Sequence, residues 1–346
     1  MTPQHIPIRS ANPETTIHSW KAKVLAYQKP SLWKSLWQLV NTLIPYAALW
    51  YLIYLSLPVS VFLVLLLVVL CAAFQIRIFS LFHDCCHSSF FKSKKANEII
   101  GTFLGILVFT PYHHWKWEHS IHHGNAGNLD KRGIGDMWTW TVKEYLASPW
   151  WRKLSYRILR HPLFLFGISP LVLFLIKYRF ASKNAGKKAR QSVLITNVGI
   201  FSLCVSLGFF FGWQKYIPIQ LMIVFLAGSA GIWLFYVQHQ FEEVYWERGK
   251  KWDFQSVALE GSSFYKLPKI LEWITASIGY HHVHHLSPQI PNYFLKQCHK
   301  NEPIFEKAKT LTLLSSLRTL NLHLWDEDQR KMVSFKFLRT FSSSKN

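Results

Sequence analysis

The chain has 346 residues, of which 50% are hydrophobic, 16% aromatic and only 16% charged, with 39 Lys and Arg against 18 Asp and Glu. This apolar content excludes a disordered chain, and five cysteines in 346 residues exclude a disulfide scaffold. A soluble protein of this length would form about two domains with near 25% charge, whereas a mean hydropathy of +0.10 and the placement of the charges point to one integral membrane protein.

Residues 1–35 form a polar arm with Arg9, Lys21, Lys23, Lys29 and Lys34 against Glu14, and no cleavable signal pattern. From Ser35 to Ile76 there is no charge over 42 positions. One span needs about 20 apolar residues, so this run predicts two, at 36–56 and 60–80, turning near Pro58. Arg77, Lys92, Lys94 and Lys95 follow. The next apolar stretches, Ile99–Pro111 and Pro162–Ile176, have 13 and 15 residues. They are short for a hydrocarbon core of about 30 Å and predict re-entrant or interfacial helices. Residues 177–190 carry six basic side chains and no acid. Uncharged runs at 191–214 and 216–241, broken by Lys215, predict a second hairpin.

Basic residues favour the cytoplasmic side. The hairpin tips are therefore expected outside, with both termini and all remaining segments cytoplasmic in a multi-pass protein of the cell membrane. The expected fold is an all-α integral membrane protein: two transmembrane helical hairpins, two short re-entrant or interfacial helices, and a cytoplasmic helical cap. Its divisions are the arm 1–35, a membrane domain 36–241, the cap 242–335 and a tail 336–346. The net charge of +21 suits anionic lipid and an acidic electron carrier. It does not suggest nucleic acid, because no recognition module is visible and the basic residues flank spans.

Nine of the 17 histidines fall in three clusters. His83 and His87 are spaced i, i+4. His119, His122 and His123 are spaced i, i+3, i+4, and His281, His284 and His285 repeat that pattern. On a helix these spacings share a face, so eight imidazoles can converge. His282 is out of register with its neighbours. Eight imidazoles exceed one ion's coordination, so two metals are expected; imidazole suits iron, copper, zinc and nickel alike. Asp84, Glu118, Asp130, Asp136, Glu242 and Glu243 lie near the clusters and could orient imidazoles through their outer N–H groups. His113 and His114, beside Trp115 and Trp117, read as an aromatic interfacial belt. The clusters are expected just beyond the span ends, which disfavours a transporter with ligands inside its spans.

The clusters match the HxxxH, HxxHH and HxxHH boxes of the membrane fatty acid desaturase superfamily. HDCCHSSFF, EHSIHHGNAGNLDKRGIGDMWT, VQHQFEE, EGSSFYKLPK and GYHHVHHLSPQIPNY resemble the bacterial acyl-lipid desaturases, closest to the delta-5 type, over about residues 30 to 335. Cys86 departs from the pattern, standing where many relatives have Gly. The resemblance implies two iron ions in a non-haem diiron centre, O2 as co-substrate, and His239 as a ninth ligand. It further implies a cis double bond introduced into saturated acyl chains of membrane phospholipids, adjusting membrane fluidity. Electrons would come from ferredoxin or flavodoxin, since the chain holds no haem-binding His-Pro-Gly-Gly stretch. The alternatives are another histidine-box oxygenase, such as a fatty acid hydroxylase or alkane monooxygenase, a histidine-rich metal transporter, or a haem-binding membrane anchor.

Overall fold

The structure is a computed structural model and describes residues 20–339. It is mostly helical, and four helices are long and apolar enough to cross a membrane. Helices α1 (Leu32–Ser56) and α2 (Val61–His87) pack against each other through a four-residue turn. The Ser60 hydroxyl caps α2 by accepting from the Leu63 N–H at 3.4 Å. Between these helices and the second long pair lie α3 (Lys94–Leu107), α4 (Tyr112–Asn125), α5 (Val142–Ala147), α6 (Trp150–Arg160) and α7 (Leu163–Arg179). The second pair, α8 (Lys187–Phe211) and α9 (Trp213–His239), is separated by Gly212 alone. Its φ of +83° is open to glycine at little cost. Each long helix has 25 or 27 residues, about 38–40 Å at 1.5 Å per residue. The hairpin tips meet, with Trp50 5.5 Å from Phe211 and 5.7 Å from Tyr216 between ring centroids. The other ends of α2 and α9 therefore lie together, and these ends carry the histidines.

Helix α2 outruns the expected span of 60–80 by seven residues and includes the whole first cluster, while His239 is the last residue of α9. The first cluster is thus on the spanning helix itself rather than beyond it. Arg77, which ends the uncharged run, lies inside α2, and its guanidinium is buried and satisfied within the protein. Nε donates to Thr42 Oγ1 at 2.9 Å, Nη2 to Asn41 Oδ1 at 3.3 Å and Nη1 to the Trp273 carbonyl. The cation also lies 3.9 Å from the Trp273 ring centroid.

The first short stretch is α3, which at 14 residues measures about 21 Å. In the second, α6 and α7 meet at a 57° bend at Pro162, whose missing N–H interrupts helical bonding. If this bent pair counted as one span, the candidates would be five. Helix α7 has widened turns over Leu163–Ile168 and Val172–Ile176 and a tight one over Lys177–Arg179. Trp150, Trp151, Leu154 and Ile158 of α6 are exposed, while Tyr156 and Arg160 face inward.

The cap contains α10 (Phe254–Glu260), α11 (Lys269–Ile274), α12 (His281–Leu286) and α13 (Asn292–Asn301). The chain is mostly helical, with a few short strands beside these helices. Strands β1 (Trp140–Thr141), β4 (Leu324–Asp326) and β5 (Lys331–Val333) form one sheet in that order, and β2 (Phe264–Tyr265) pairs in parallel with β3 (Thr310–Leu311). Strands of two or three residues are too short to show alternation in sequence. Trp20 and Val24 pack with Tyr280, Val283 and Leu286, and Gln28 Nε2 donates to Ser287 Oγ at 2.8 Å. The segment before α1 thereby braces the third histidine cluster.

Candidate metal centre

Four helices deliver nine imidazoles to one end of the bundle. Their nitrogens fall into two groups, each with all its ligand atoms within 4.8 Å of one another. The first holds His83 and His87 from α2, His119 and His123 from α4, and His284 from α12. The second holds His122 from α4, His239 from α9, and His281 and His285 from α12. In the first group, His119 Nε2 lies 3.0 Å from His83 Nε2 and 3.1 Å from His123 Nε2, and His284 Nε2 lies 3.1 Å from His123 Nε2. In the second, His281 Nε2 lies 2.9 Å from His239 Nε2 and 3.1 Å from His285 Nε2. Two nitrogens at about 2.1 Å from one ion, at right angles, stand about 3.0 Å apart. The groups adjoin: the His123 and His285 rings stack at 4.2 Å.

The donors fit metal ions. Nε2 of His87 and Nε2 of His122 are buried with no hydrogen-bond partner among the described residues. Such orphaned atoms are rare unless a ligand satisfies them. His239 Nδ1 faces the Gly261 carbonyl at 3.1 Å, so its proton sits there and Nε2 keeps its lone pair for the centre. His122 Nδ1 donates to Asp136 Oδ1 with the same effect. Burial, reinforced by neighbouring imidazoles, holds His119, His123, His281, His284 and His285 well below the usual histidine range. They are neutral, the form that ligates metal.

The six acidic candidates divide by position. Asp136 bonds His122 directly. Asp84 Oδ1 lies 3.7 Å from His83 Nδ1, while its Oδ2 accepts from the Asn292 backbone N–H at 2.7 Å and side-chain amide at 2.8 Å. It thereby ties the first cluster to α13. Glu118 meets Lys177 at 3.6 Å and the Ser182 hydroxyl at 3.4 Å. Asp130 accepts from Arg248 at 2.7 Å and from the Gly249 N–H at 2.9 Å. Glu242 lies 4.0 Å from Lys331, and Glu243 2.9 Å from Lys309.

His282 is buried outside both groups, its Nε2 2.9 Å from His299 Nδ1. His113 pairs with Glu98 at 2.8 Å, and His114 Nε2 accepts from the Ser182 N–H at 3.0 Å. Sequence reasoning missed Trp115, stacked 4.2 Å from His119, and the contributions of Gly261 and Asn292. A backbone carbonyl leaves no side-chain signal, and Asn292 lies 208 residues from Asp84.

A cavity of about 390 Å³ opens beside the histidines, within the range of small-molecule sites. His83, His119 and His281 are among its lining residues, so both groups reach it. Apolar side chains of α2, α7 and α9, among them Phe79, Leu173, Phe174 and Val224, line the rest. Gly228 lets α7 approach α9, since a Cβ there would stand 2.9 Å from Pro170 Cβ.

The fatty acid desaturase family matches the chain over residues 60–312. A fatty acid desaturase of Bacillus subtilis (strain 168) is 47% identical over 329 residues, 94% of each chain. Two proteins named sn-1 acyl-lipid omega-3 desaturase (ferredoxin), from Nostoc sp. (strain 36) and Synechocystis sp. (strain ATCC 27184 / PCC 6803 / Kazusa), are each 30% identical. They align over 226 and 238 residues, 62% of this chain and 60% of theirs.

Proposed function

Because the chain belongs to the fatty acid desaturase family and is an oxidoreductase, we propose that it introduces a cis double bond, at the delta-5 position, into saturated acyl chains of membrane phospholipids. The observation that carries this reading is the pair of all-imidazole groups beside one apolar cavity. His83, His87, His119, His123 and His284 would hold one iron, and His122, His239, His281 and His285 the other. Bound iron, with O2 as co-substrate, supplies the oxidising power that removal of hydrogen from two adjacent unactivated methylenes demands.

The side chains contribute orientation and exclusion of water. Asp136 and the Gly261 carbonyl fix the tautomers of His122 and His239. Trp115 holds the His119 ring by stacking. Phe79, Leu173 and Phe174 confine an acyl chain so that geometry selects the methylenes. The basic segments bordering the four long helices favour a cell-membrane protein with both termini and the histidines on the cytoplasmic side. Ferredoxin or flavodoxin would be the donor there; the cyanobacterial relatives carry ferredoxin in their names.

Lipid analysis of a host producing the full chain tests this reading. Delta-5 unsaturated phospholipid should form, and the His122→Ala variant should form none while still inserting. An alcohol in place of an olefin would support a hydroxylase instead.

A further inference from the structure

Among the described residues, the lining of the cavity contains a single Lys or Arg, Lys177, at the end of α7. Its Nζ lies 3.6 Å from Glu118 Oε1; the Lys177 side chain is 54% exposed and that of Glu118 only 9%. The ammonium therefore stands where the cavity meets solvent, and a buried carboxylate holds its inner side. An ammonium has three N–H donors, so the contact with Glu118 leaves donors facing outward. The exposed residues Gly133 and Gly135 also line the cavity, so the mouth near Lys177 is open beside this loop. At the other extreme the lining is apolar around Ile76 and Val224, inside the long helices. Gln75 there precedes His83 by eight residues, about 12 Å along α2. Lys177 thus presents an ammonium at the wet end of the cavity, beside the carboxylates of Glu118 and Asp136, and the other end lies inside the helical bundle.

The charged end adjoins the metal ligands. Glu118 and His119 are successive residues that both line the cavity, and His119 faces His83 at 3.0 Å. A ligand with an anionic head at Lys177 and an acyl tail toward Gln75 would present methylenes close to its head to the imidazoles.

From this juxtaposition we propose that Lys177 is a substrate-positioning residue: its ammonium, steadied by Glu118, binds the phosphodiester of the glycerophospholipid whose acyl chain occupies the cavity, and thereby sets which methylenes reach the histidines. The inference rests on the desaturase reading and assigns that reaction a headgroup subsite. The phosphate is anionic and stays at the membrane surface, as the exposed ammonium requires. The aliphatic stem of Lys177 can lie along the apolar wall with its charge in water.

The test uses the full-length, iron-loaded protein in nanodiscs, with reduced ferredoxin as electron source. Phosphatidylglycerol and diacylglycerol with identical saturated chains are supplied as competing substrates. Wild type should prefer the phosphate-bearing lipid by about three- to fivefold, the scale of a half-exposed ion pair. Lys177→Ala should remove that preference through KM, the loss falling more heavily on phosphatidylglycerol than on diacylglycerol. It should also spread the double bond over neighbouring positions, and Lys177→Arg should restore both. Phosphatidylglycerol retained on the purified protein, counted by native mass spectrometry, should fall in the Ala variant without any turnover being needed. Equal loss on both lipids, or unchanged retention of phosphatidylglycerol, would overturn the assignment. Should wild type oxidise neither lipid, the desaturase reading fails, and the retention measurement still decides the role of Lys177.

Discussion

Replacing Asp136 with Asn or Ala should perturb one histidine group and leave the other. Among the described residues, Asp136 is the only carboxylate within hydrogen-bonding distance of a converging imidazole. The two side chains are buried, at 2% and 6% exposure for His122 and Asp136. A hydrogen bond to a charged partner contributes about 1.5–3 kcal/mol. At about 1.4 kcal/mol per tenfold, losing it should weaken metal binding by roughly 10- to 100-fold, the range for partners that orient a ligating histidine. His122 belongs to the group of four and not to the group of five, so the loss should fall on one ion. Asn can still accept the His122 proton as a neutral partner, so Asp136→Asn should show the smaller effect and Asp136→Ala the larger. The assay is iron retained per chain after dialysis against graded chelator, beside the melting temperature. Iron should fall from about two per chain to about one at chelator levels the wild type resists, because only one group loses its oriented ligand. Simultaneous loss of both irons, or wild-type resistance in the Ala variant, would refute the division into two groups with Asp136 behind the second.

Two further outcomes follow from charge. The His323 ring packs 4.3 Å from Phe335, and burial, helped by Arg160 and Arg157, holds its pKa at about 3. Its unfolded value is near 6.5, so the stability linked to its neutral form is present above about pH 6.5 and is lost as pH falls toward 3. His323→Leu should flatten the decline of melting temperature between about pH 7 and 4.5, and an unchanged slope would remove His323 as its source. The basic stretch with Lys183, Lys187, Lys188 and Arg190 should attract an acidic carrier in a salt-sensitive way. Turnover driven by ferredoxin should appear only in inside-out vesicles of the host and fall from about 50 to 500 mM salt. Turnover in right-side-out vesicles would overturn the cytoplasmic placement, and a salt-independent rate would defeat the docking idea.

The long apolar runs and the histidine spacing were legible because each depends on local periodicity. The four long helices lie where charge is missing, and all eight in-register histidines fall into the two groups. Arg77 was grouped with the basic residues after the first hairpin because hydropathy treats a guanidinium as solvated. Asn41 and Thr42 on α1, and Trp273 in the cap, satisfy it instead. Those partners are 36, 35 and 196 residues away, beyond any local pattern. Proximity in sequence also could not separate Asp136 from Glu242 and Glu243. Glu242 and Glu243 follow His239 by three and four residues, yet α9 ends at His239 and the chain turns away. Their carboxylates consequently meet Lys331 and Lys309 instead of an imidazole. Asp136 lies 14 residues from His122 and returns to it through a loop.

The division into two groups also explains why the three clusters differ in pattern. HxxxH places two imidazoles 400° apart around a helix at 100° per residue, so both point one way. His83 and His87 accordingly serve a single group. HxxHH adds a histidine 100° from its neighbour, which gives the helix two ligating directions. On α4, His119 and His123 face the first group and His122 the second. On α12 the assignment is reversed, with His284 facing the first and His281 and His285 the second. These two helices therefore form a wall shared by both groups, while α2 and α9 each close one side. His239 is required because, without it, α4 and α12 would supply the second group with only three imidazoles. No local spacing marks it, since α9 contributes this single histidine at its last residue. The resemblance supplied it at the sequence level, and the fold brings its Nε2 within 2.9 Å of His281 Nε2.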